Sequence, residues 1–471
     1  MTLTLPGVPG AGSATDDAEA LAAIARHGRP LAAPEDALDA LAARIGGAGT
    51  RFALLGEASH GTHEFYALRA DLTRRLIEDG ALDAVAIEGD WPDAWRVNRY
   101  VRGLGGDTSA TAALGGFERF PTWMWRNTVV LEFVEWLRAF NAARPPGTRV
   151  GFYGLDLYSL FGFIAAVLRY LDRSDPQAAA RARDRYACFD RFRDDSHAYG
   201  QAAAYGWLDP HCEDAVVAQL VELQRQGEGA PAAGEDDPDA HFQAAQNARL
   251  VRNAERYYRS MFRGRVSSWN LRDGHMAETL EALDGHLRQR LGRPPRFAVW
   301  AHNSHLGDAR ATEMGTGQGE LNLGQLVRER HDGEAFALGF STYTGHVTAA
   351  SAWDAPGATE RVRPGLPDSW EALLHEALRR QGGAPALWLP LRDAPALAEA
   401  LAEARLQRAI GVVYAPQTER WSHYYHARLP AQFDALWHID ATHALQPLAD
   451  PPGAQPAGAS PEPPATFPEA V

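Results

Sequence analysis

Carboxylate and imidazole side chains follow several apolar runs of this chain at spacings that suit acid–base chemistry. Glu57 and His60 come just after one apolar run, and Glu88 ends the next. His302 and His305 follow a later run, and both rings converge if that segment turns like the start of a helix. A histidine that a carboxylate holds in one orientation can take a proton from water. The residue types therefore predict a hydrolytic site built from glutamates and histidines.

The elements that position these residues follow from hydrophobic periodicity. Apolar runs that predict buried strands lie at 52–56, 84–87, 150–154 and 297–301. Helical patterns lie between them, so we expect a mostly parallel sheet inside a three-layer α/β/α core. Ligands of such sheets bind beyond the carboxyl ends of the strands. We therefore expect Glu57 and Glu88 on adjacent strands at one rim of the sheet, with the histidines beside them.

Five regions are predicted along the chain. They are a flexible N-terminus at 1–15, a first part of the α/β core with the catalytic motifs at 16–158, an inserted helical lobe at 159–291, a second part of the core at 292–449, and a disordered Pro-rich tail at 450–471. In the second part of the core, strand-like runs lie at 335–344, 386–391 and 410–414, and helical patterns at 369–380 and 394–404. We expect the lobe to close over the carboxyl ends of the strands and leave a deep cleft.

Composition excludes several classes of function. The net charge of -14 would repel a phosphate backbone, which argues against nucleic acid as a partner. The chain has no lysine, so Schiff-base chemistry and a phosphate-binding P-loop lysine are ruled out. The two cysteines are too few for a disulfide framework or a cysteine zinc site, and we expect reduced thiols. Without a signal-peptide pattern or a membrane-spanning run, a cytoplasmic protein with no membrane partner is predicted.

Other hydrolase signatures are missing, and two polar residues stay open. The chain has no G-x-S-x-G nucleophile motif, and Ala67 stands where an H-E-x-x-H motif starting at His63 needs its second histidine. Asp156, after the third predicted strand, is either a helix cap or a site residue. His63 is a ligand, a cap or a surface residue, and we assign it no role.

Several sequence blocks together resemble the erythromycin esterase family. They are Gly56-Glu57-x-x-His60-Gly61, Arg69, Ala86-Ile87-Glu88, Trp269-Asn270-Leu271-Arg272-Asp273, Trp300-Ala301-His302-Asn303-Ser304-His305 and Arg420-Trp421-Ser422-His423-Tyr424-Tyr425-His426. The resemblance runs from about residue 50 to 445. It implies that His60 is the general base on a water that attacks a macrolide lactone. It also implies that Glu57, Arg69, Glu88, His302 and His305 line the same site, with no metal and no cofactor. Many homologues are not known to open macrolides, so the chemistry is carried over more firmly than the substrate.

The function we expect is hydrolysis of a small-molecule carboxylic ester or macrolactone by histidine-activated water. His60 would take the proton, and Glu57 or Glu88 would hold its ring in the right tautomer. Arg69, with His302 or His305, would stabilise the oxyanion or protonate the leaving alkoxide, unless Arg69 instead braces the carboxylates.

Two alternatives remain open. The same glutamates and histidines suit a divalent metal, which would make the chain a metal-dependent hydrolase. The pocket would otherwise belong to a non-catalytic binder of a large apolar ligand.

Overall fold

The computed structural model describes residues 14–47, 49–192, 199–202, 205, 207, 211–227, 239–261 and 264–449. The expected tail at 450–471 and nearly all of the expected flexible N-terminus lie outside the described residues.

Most strands belong to one sheet with a parallel centre. The strands are β1 (Arg29–Leu31), β2 (Phe52–Leu55), β3 (Ala84–Asp90), β4 (Gly151–Asp156), β5 (Phe297–Trp300), β6 (Ala335–Ala349), β7 (Ala358–Val362), β8 (Ala386–Leu389), β9 (Arg405–Arg408), β10 (Tyr424–Ala427) and β11 (Ala435–Thr442). In the sheet they lie in the order β1-β8-β11-β6-β2-β5-β3-β4, with β7 paired to β6, while β9 and β10 form a separate hairpin-like pair. The six strands from β11 to β4 are mutually parallel, whereas β1, β7 and β8 pair in antiparallel fashion.

Helices cover both faces of the sheet. Their bounds are Ala14–His27, Leu38–Gly47, His63–Glu78, Trp91–Val101, Ala110–Leu114, Thr128–Ala142, Leu160–Ser174, Pro176–Tyr186, His211–Gly227, Ala240–Met261, Arg265–Leu291, Asn303–Leu306, Glu313–Gln318, Leu323–Arg330, Trp370–Arg380, Pro395–Ala400, Glu419–Ser422 and Leu429–Gln432. Alternate residues of a strand point to opposite faces, so Phe52 and Leu54 join one buried cluster while Ala53 and Leu55 join another. The architecture is therefore a three-layer α/β/α fold, as the periodicity predicts.

Between β4 and β5 every described element is a helix, from Leu160–Ser174 to the long helix Arg265–Leu291. We call this stretch the helical segment. Its treatment as an inserted lobe remains a prediction. Among the described residues, no helix is long and apolar enough to cross a membrane.

Two glycines allow the chain after β2 to pack closely against its neighbours. A Cβ at Gly56 would lie 2.2 Å from Oδ1 of Asn303, and one at Gly61 would lie 1.8 Å from the carbonyl oxygen of Thr348. The backbone N–H of Thr348 donates to the Gly61 carbonyl over 2.9 Å. The turn between the two glycines carries Glu57 and His60, so this close approach fixes where those side chains begin.

Three expectations are wrong. β5 lies between β2 and β3, so Glu57 and Glu88 do not follow adjacent strands. The run at 410–414 is not a strand and makes only isolated bridges, from Ile410 to Ser59 and from Val413 to Ala350. We expected both cysteines to be reduced, but Cys188 is disulfide-bonded.

Candidate active site

His60 and Glu57 form a buried hydrogen-bonded pair beyond the end of β2. Nδ1 of His60 lies 2.8 Å from Oε1 of Glu57, and both side chains are almost fully buried. The Tyr66 hydroxyl donates to the same glutamate oxygen over 3.4 Å. Because the carboxylate accepts the proton on Nδ1, the neutral form of the ring has its lone pair on the other nitrogen, Nε2.

Arg69 supports Glu57 from the first helix after the turn, His63–Glu78. Its Nη2 atom lies 3.0 Å from Oε2 of Glu57, and its side chain has no exposure to solvent. The guanidinium group lies over the rings of Tyr66 and Trp300, 4.7 and 5.0 Å from their centres. This arrangement braces the carboxylate of Glu57, the second of the two roles expected for Arg69.

His302 begins the short helix Asn303–Leu306 and lies beside His60, with ring centres 4.9 Å apart. Its Nδ1 atom accepts the backbone N–H of Ser304 over 3.2 Å and lies 2.8 Å from the Ser304 hydroxyl. Burial is the main cause that lowers the pKa of His302 well below its ordinary value. His302 is therefore a neutral imidazole at neutral pH.

Glu88 occupies the centre of the network at the carboxyl end of β3. Its Oε2 atom accepts the backbone N–H of His302 over 2.8 Å. Its Oε1 atom lies 2.7 Å from Nη2 of Arg272, 3.2 Å from Nε2 of His305 and 4.0 Å from Nε2 of His60. Burial alone would raise the pKa of Glu88, but the positive charges of His305 and Arg272 outweigh it and hold the pKa well below its usual range. Glu88 is therefore an anion.

Arg272 comes from the long helix Arg265–Leu291 and joins two carboxylates. Besides Glu88, its guanidinium donates to Asp156 at the end of β4, through Nε over 3.1 Å and through Nη2 over 2.7 Å. It also lies over the ring of Tyr158, 4.9 Å from the ring centre. The two-pronged contact with Arg272 accounts for Asp156 better than a helix cap does, although its Oδ1 atom also accepts the N–H of Leu157.

His305 forms a second pair of a histidine and a carboxylate, with Asp273. Its Nδ1 atom lies 2.9 Å from each Asp273 oxygen, and Trp269 stacks on its ring with centres 4.6 Å apart. Burial alone would lower the pKa of His305, but Asp273 and Glu88 raise it to about 10. Nε2 of His305 thus carries a proton and donates to Glu88. Its 3.1 Å approach to Nη1 of Arg272 is then a contact of two donors rather than a hydrogen bond.

A cleft opens onto one side of this network. Its empty volume is about 640 Å³, open mouth included. His60, Glu88, Asp156 and Arg272 line its polar end. The rest of the lining is Gly89, Asp90, Asp93, Phe117, Arg119, Phe120, Pro121, Met124, Trp125, Tyr158, Trp353 and Val412. Apart from Asp90, Asp93 and Arg119, this wall is apolar or aromatic, and an apolar cleft with a few polar groups is the usual form of a small-molecule site.

A family model described as erythromycin esterase matches residues 77–442 of this chain. The chain belongs to the erythromycin esterase family. Glu88, His302 and His305 lie inside the matched region, whereas Glu57, His60 and Arg69 precede it.

Three solved structures share the fold of this family member. A succinoglycan biosynthesis protein is 19% identical with a TM-score of 0.72, covering 92% of this chain and 100% of its own. A Bacillus cereus protein is 17% identical with a TM-score of 0.74, covering 92% and 99%. A mutant of the erythromycin esterase EreC in its open conformation is 17% identical with a TM-score of 0.61, covering 88% and 97%. At these identities the likeness concerns the fold alone.

The structure brings all six predicted site residues of this family member into one network of direct contacts. These residues are Glu57, His60, Arg69, Glu88, His302 and His305. Two of the six, His60 and Glu88, line the cleft, and the other four do not: Glu57, Arg69, His302 and His305. His63 begins a helix and takes no part in the contacts described above, and its backbone N–H donates to the carbonyl oxygen of His443.

Sequence reasoning assigned no role to Arg272 or Asp273, although both lie in a block that resembles the family. The one signal in the sequence is an arginine next to an aspartate within a helical pattern. In the structure both side chains are buried. Charged side chains are rarely buried unless they are paired, but the sequence alone does not show burial.

A serine, a histidine and an aspartate also meet elsewhere in the fold, away from the cleft. Ser341 Oγ lies 2.9 Å from Nδ1 of His438, whose Nε2 lies 3.4 Å from Asp440. Ser341 and His438 face each other on β6 and β11, and both are buried. Neither lines the cleft, and the trio forms a buried polar contact between two strands of the sheet.

Proposed function

We propose that this member of the erythromycin esterase family hydrolyses a carboxylic ester or a lactone with water that His60 activates. The observation that carries the proposal is the position of His60. Glu57 holds its Nδ1 side, and its Nε2 atom faces the anionic Glu88 across 4.0 Å at the polar end of the cleft. One water bound between Nε2 and Glu88 would be oriented for proton transfer to the imidazole.

The reaction then proceeds in two balanced steps. The water oxygen attacks the carbonyl carbon, His60 takes the water proton on Nε2, and the carbonyl π electrons move to oxygen as an oxyanion. The oxyanion re-forms the carbonyl, the bond to the alkoxy oxygen breaks, and the leaving alkoxide takes the proton from His60. The products are a carboxylic acid and an alcohol, which remain one molecule when the substrate is a lactone. Glu57 stabilises the imidazolium between the two steps.

Arg119 lines the cleft and is the positive group that would stabilise the oxyanion, whereas Arg272 is held by Glu88 and Asp156. Arg69 is fully buried behind Glu57 and acts as a brace in this mechanism. The protonated His305 and the neutral His302 lie outside the lining, so His60 itself returns the proton to the leaving group.

The alternative of a metal-dependent hydrolase has less support from the geometry. His60 could ligate through Nε2 while Glu57 holds its Nδ1, but His305 would first have to lose the proton on its Nε2, and Oε1 of Glu88 would have to leave Arg272. Among the described residues, no three His, Cys, Asp or Glu side chains are arranged to hold a metal ion. The proposed hydrolysis therefore needs no metal. We also propose that the substrate is a small molecule and that the protein acts in the cytoplasm.

A substrate screen tests the proposal. Purified protein is incubated with macrolides, other lactones and simple aryl esters, with His60→Asn as the matched control for contaminating esterases. We expect turnover of at least one compound that the variant does not support. If the wild-type protein binds such compounds but turns none over, the non-catalytic binder becomes the better account.

A further inference from the structure

Arg272 and Asp273 are neighbours in the chain, and both act on the same oxygen of Glu88, one directly and one through His305. Arg272 donates directly to Oε1 of Glu88 over 2.7 Å. Asp273 acts through His305, whose Nδ1 it holds at 2.9 Å and whose Nε2 lies 3.2 Å from the same Oε1 atom. The long helix that carries both residues thus reaches the carboxylate by two separate routes.

Both routes are held in place by further contacts. Asp156, at the end of β4, accepts a hydrogen bond from the guanidinium of Arg272. On the other route, Asp273 accepts the backbone N–H of Leu323 over 2.8 Å. These contacts hold the two cations still, so they fix the direction from which each approaches Glu88.

The charges around Glu88 show why two cations are needed. Glu88 is about 1% exposed, and a buried carboxylate without compensation is costly. Asp156 adds a second negative charge, and Asp273, in contact with His305, adds a third. His60 faces Glu88 on the cleft side, and His302 contributes only its backbone N–H. Arg272 and the protonated His305 are the groups that offset this negative charge.

We propose that Arg272 and Asp273 are positioning residues that hold Glu88 toward His60, so that the helical segment completes the catalytic site. The proposal rests on the proposed function in that Glu88 must orient the attacking water. Without the contacts from Arg272 and His305, Glu88 would turn away from His60 or take up a proton. The attacking water would then lose the carboxylate that accepts its hydrogen bond.

A double-mutant cycle separates positioning from a general effect on folding. Arg272→Lys and Asp273→Asn are each measured alone and in a Glu88→Gln background, with Arg288→Lys, a half-exposed arginine of the same helix, as the matched control. We expect the two single variants to lower kcat by about 10-fold or more with little change in KM. In the Glu88→Gln background they should add no further loss. Losses that multiply in full would overturn the proposal, since they would show action independent of Glu88.

A second measurement needs no substrate. Histidine labelled with ¹³C at Cε1 is followed by NMR against pH, and the His305 signal is assigned by its loss in His305→Gln. We expect His305 to titrate near pH 10 in the wild-type protein and at a lower pH in Asp273→Asn. A wild-type His305 that titrates near its ordinary value of about 6.5 would overturn the proposal even if esters are hydrolysed. If no ester is hydrolysed but His305 behaves as expected, the proposed function fails and the assignment of the two contacts stands.

Discussion

Arg272 of the helix Arg265–Leu291 and Glu88 of β3 are joined by a hydrogen bond of 2.7 Å, although 184 residues separate them in the chain. Both side chains are almost fully buried, and both line the cleft. The contact places a residue of the helical segment in the same network as His60. The candidate site is therefore made by the sheet and the helical segment together.

Replacing His60 by Asn should lower turnover by about 10²-fold or more, because the variant keeps the shape but loses the base. The melting temperature should change little. The matched control is His63→Asn, since His63 lies at the start of the next helix and outside the network. Turnover near the wild-type level in the His60 variant would remove that residue from the role of base.

Replacing Arg69 by Met should destabilise the fold by about 3–5 kcal/mol, because Glu57 would remain as a buried and uncompensated charge. In a variant that also carries Glu57→Gln, much of that loss should be recovered, although activity should not. Urea unfolding measures the free energies, and Arg379→Met, which breaks an exposed ion pair with Glu376, should leave the midpoint nearly unchanged. Strictly additive losses from Arg69→Met and Glu57→Gln would argue against the brace.

The stability of the fold should depend on pH through His305, whose pKa is raised to about 10 in the folded protein. The unfolded chain has an ordinary histidine pKa of about 6.5, so the folded state binds the proton more tightly. This contribution is fully present below about pH 6.5 and is lost as the pH rises through 10. The free-energy advantage of the wild-type protein over His305→Gln should therefore shrink between pH 6.5 and 10. An advantage that stays constant across that window would contradict the charged state of His305.

Replacing Gly61 by Ala should destabilise the fold by about 1–3 kcal/mol, since a Cβ there would overlap the backbone of Thr348. Because this turn also carries His60, kcat should fall as well. Gly285→Ala is the control, as Gly285 lies in a helix with open space around it, and that change should be neutral or stabilising. If Gly61→Ala and Gly285→Ala had the same free energy of unfolding, the close packing of the turn after β2 against Thr348 would be contradicted.

Activity should survive treatment with a chelator, because Nε2 of His305 carries a proton and Glu88 is already held by Arg272. The measurement is metal analysis of the purified protein together with turnover before and after chelation. A stoichiometric metal whose removal abolishes turnover, and whose return restores it, would favour the metal-dependent alternative.

Local patterns in the sequence were enough to predict the strands near the site and the pairing of Glu57 with His60. The apolar runs predict β2, β3, β4 and β5 to within a few residues, because each strand is buried on both faces. Glu57 and His60 are three residues apart in one tight turn, so their pairing is nearly a local property. Arg69 follows on the next helix, within reach of Glu57 by its long side chain.

Tertiary structure decided what lies between and behind these elements. Strand order depends on how helices pack across the sheet, so no local pattern shows that β5 enters between β2 and β3 and brings His302 and His305 between the glutamates. Arg272 and Asp273 reach the site only because the long helix packs against the end of the sheet, and a helix's periodicity does not reveal its partner. The sequence by itself thus determined the types of residue and the short-range pair that do the chemistry. The burial, the charge state and the distant contacts of those residues arise only from long-range packing.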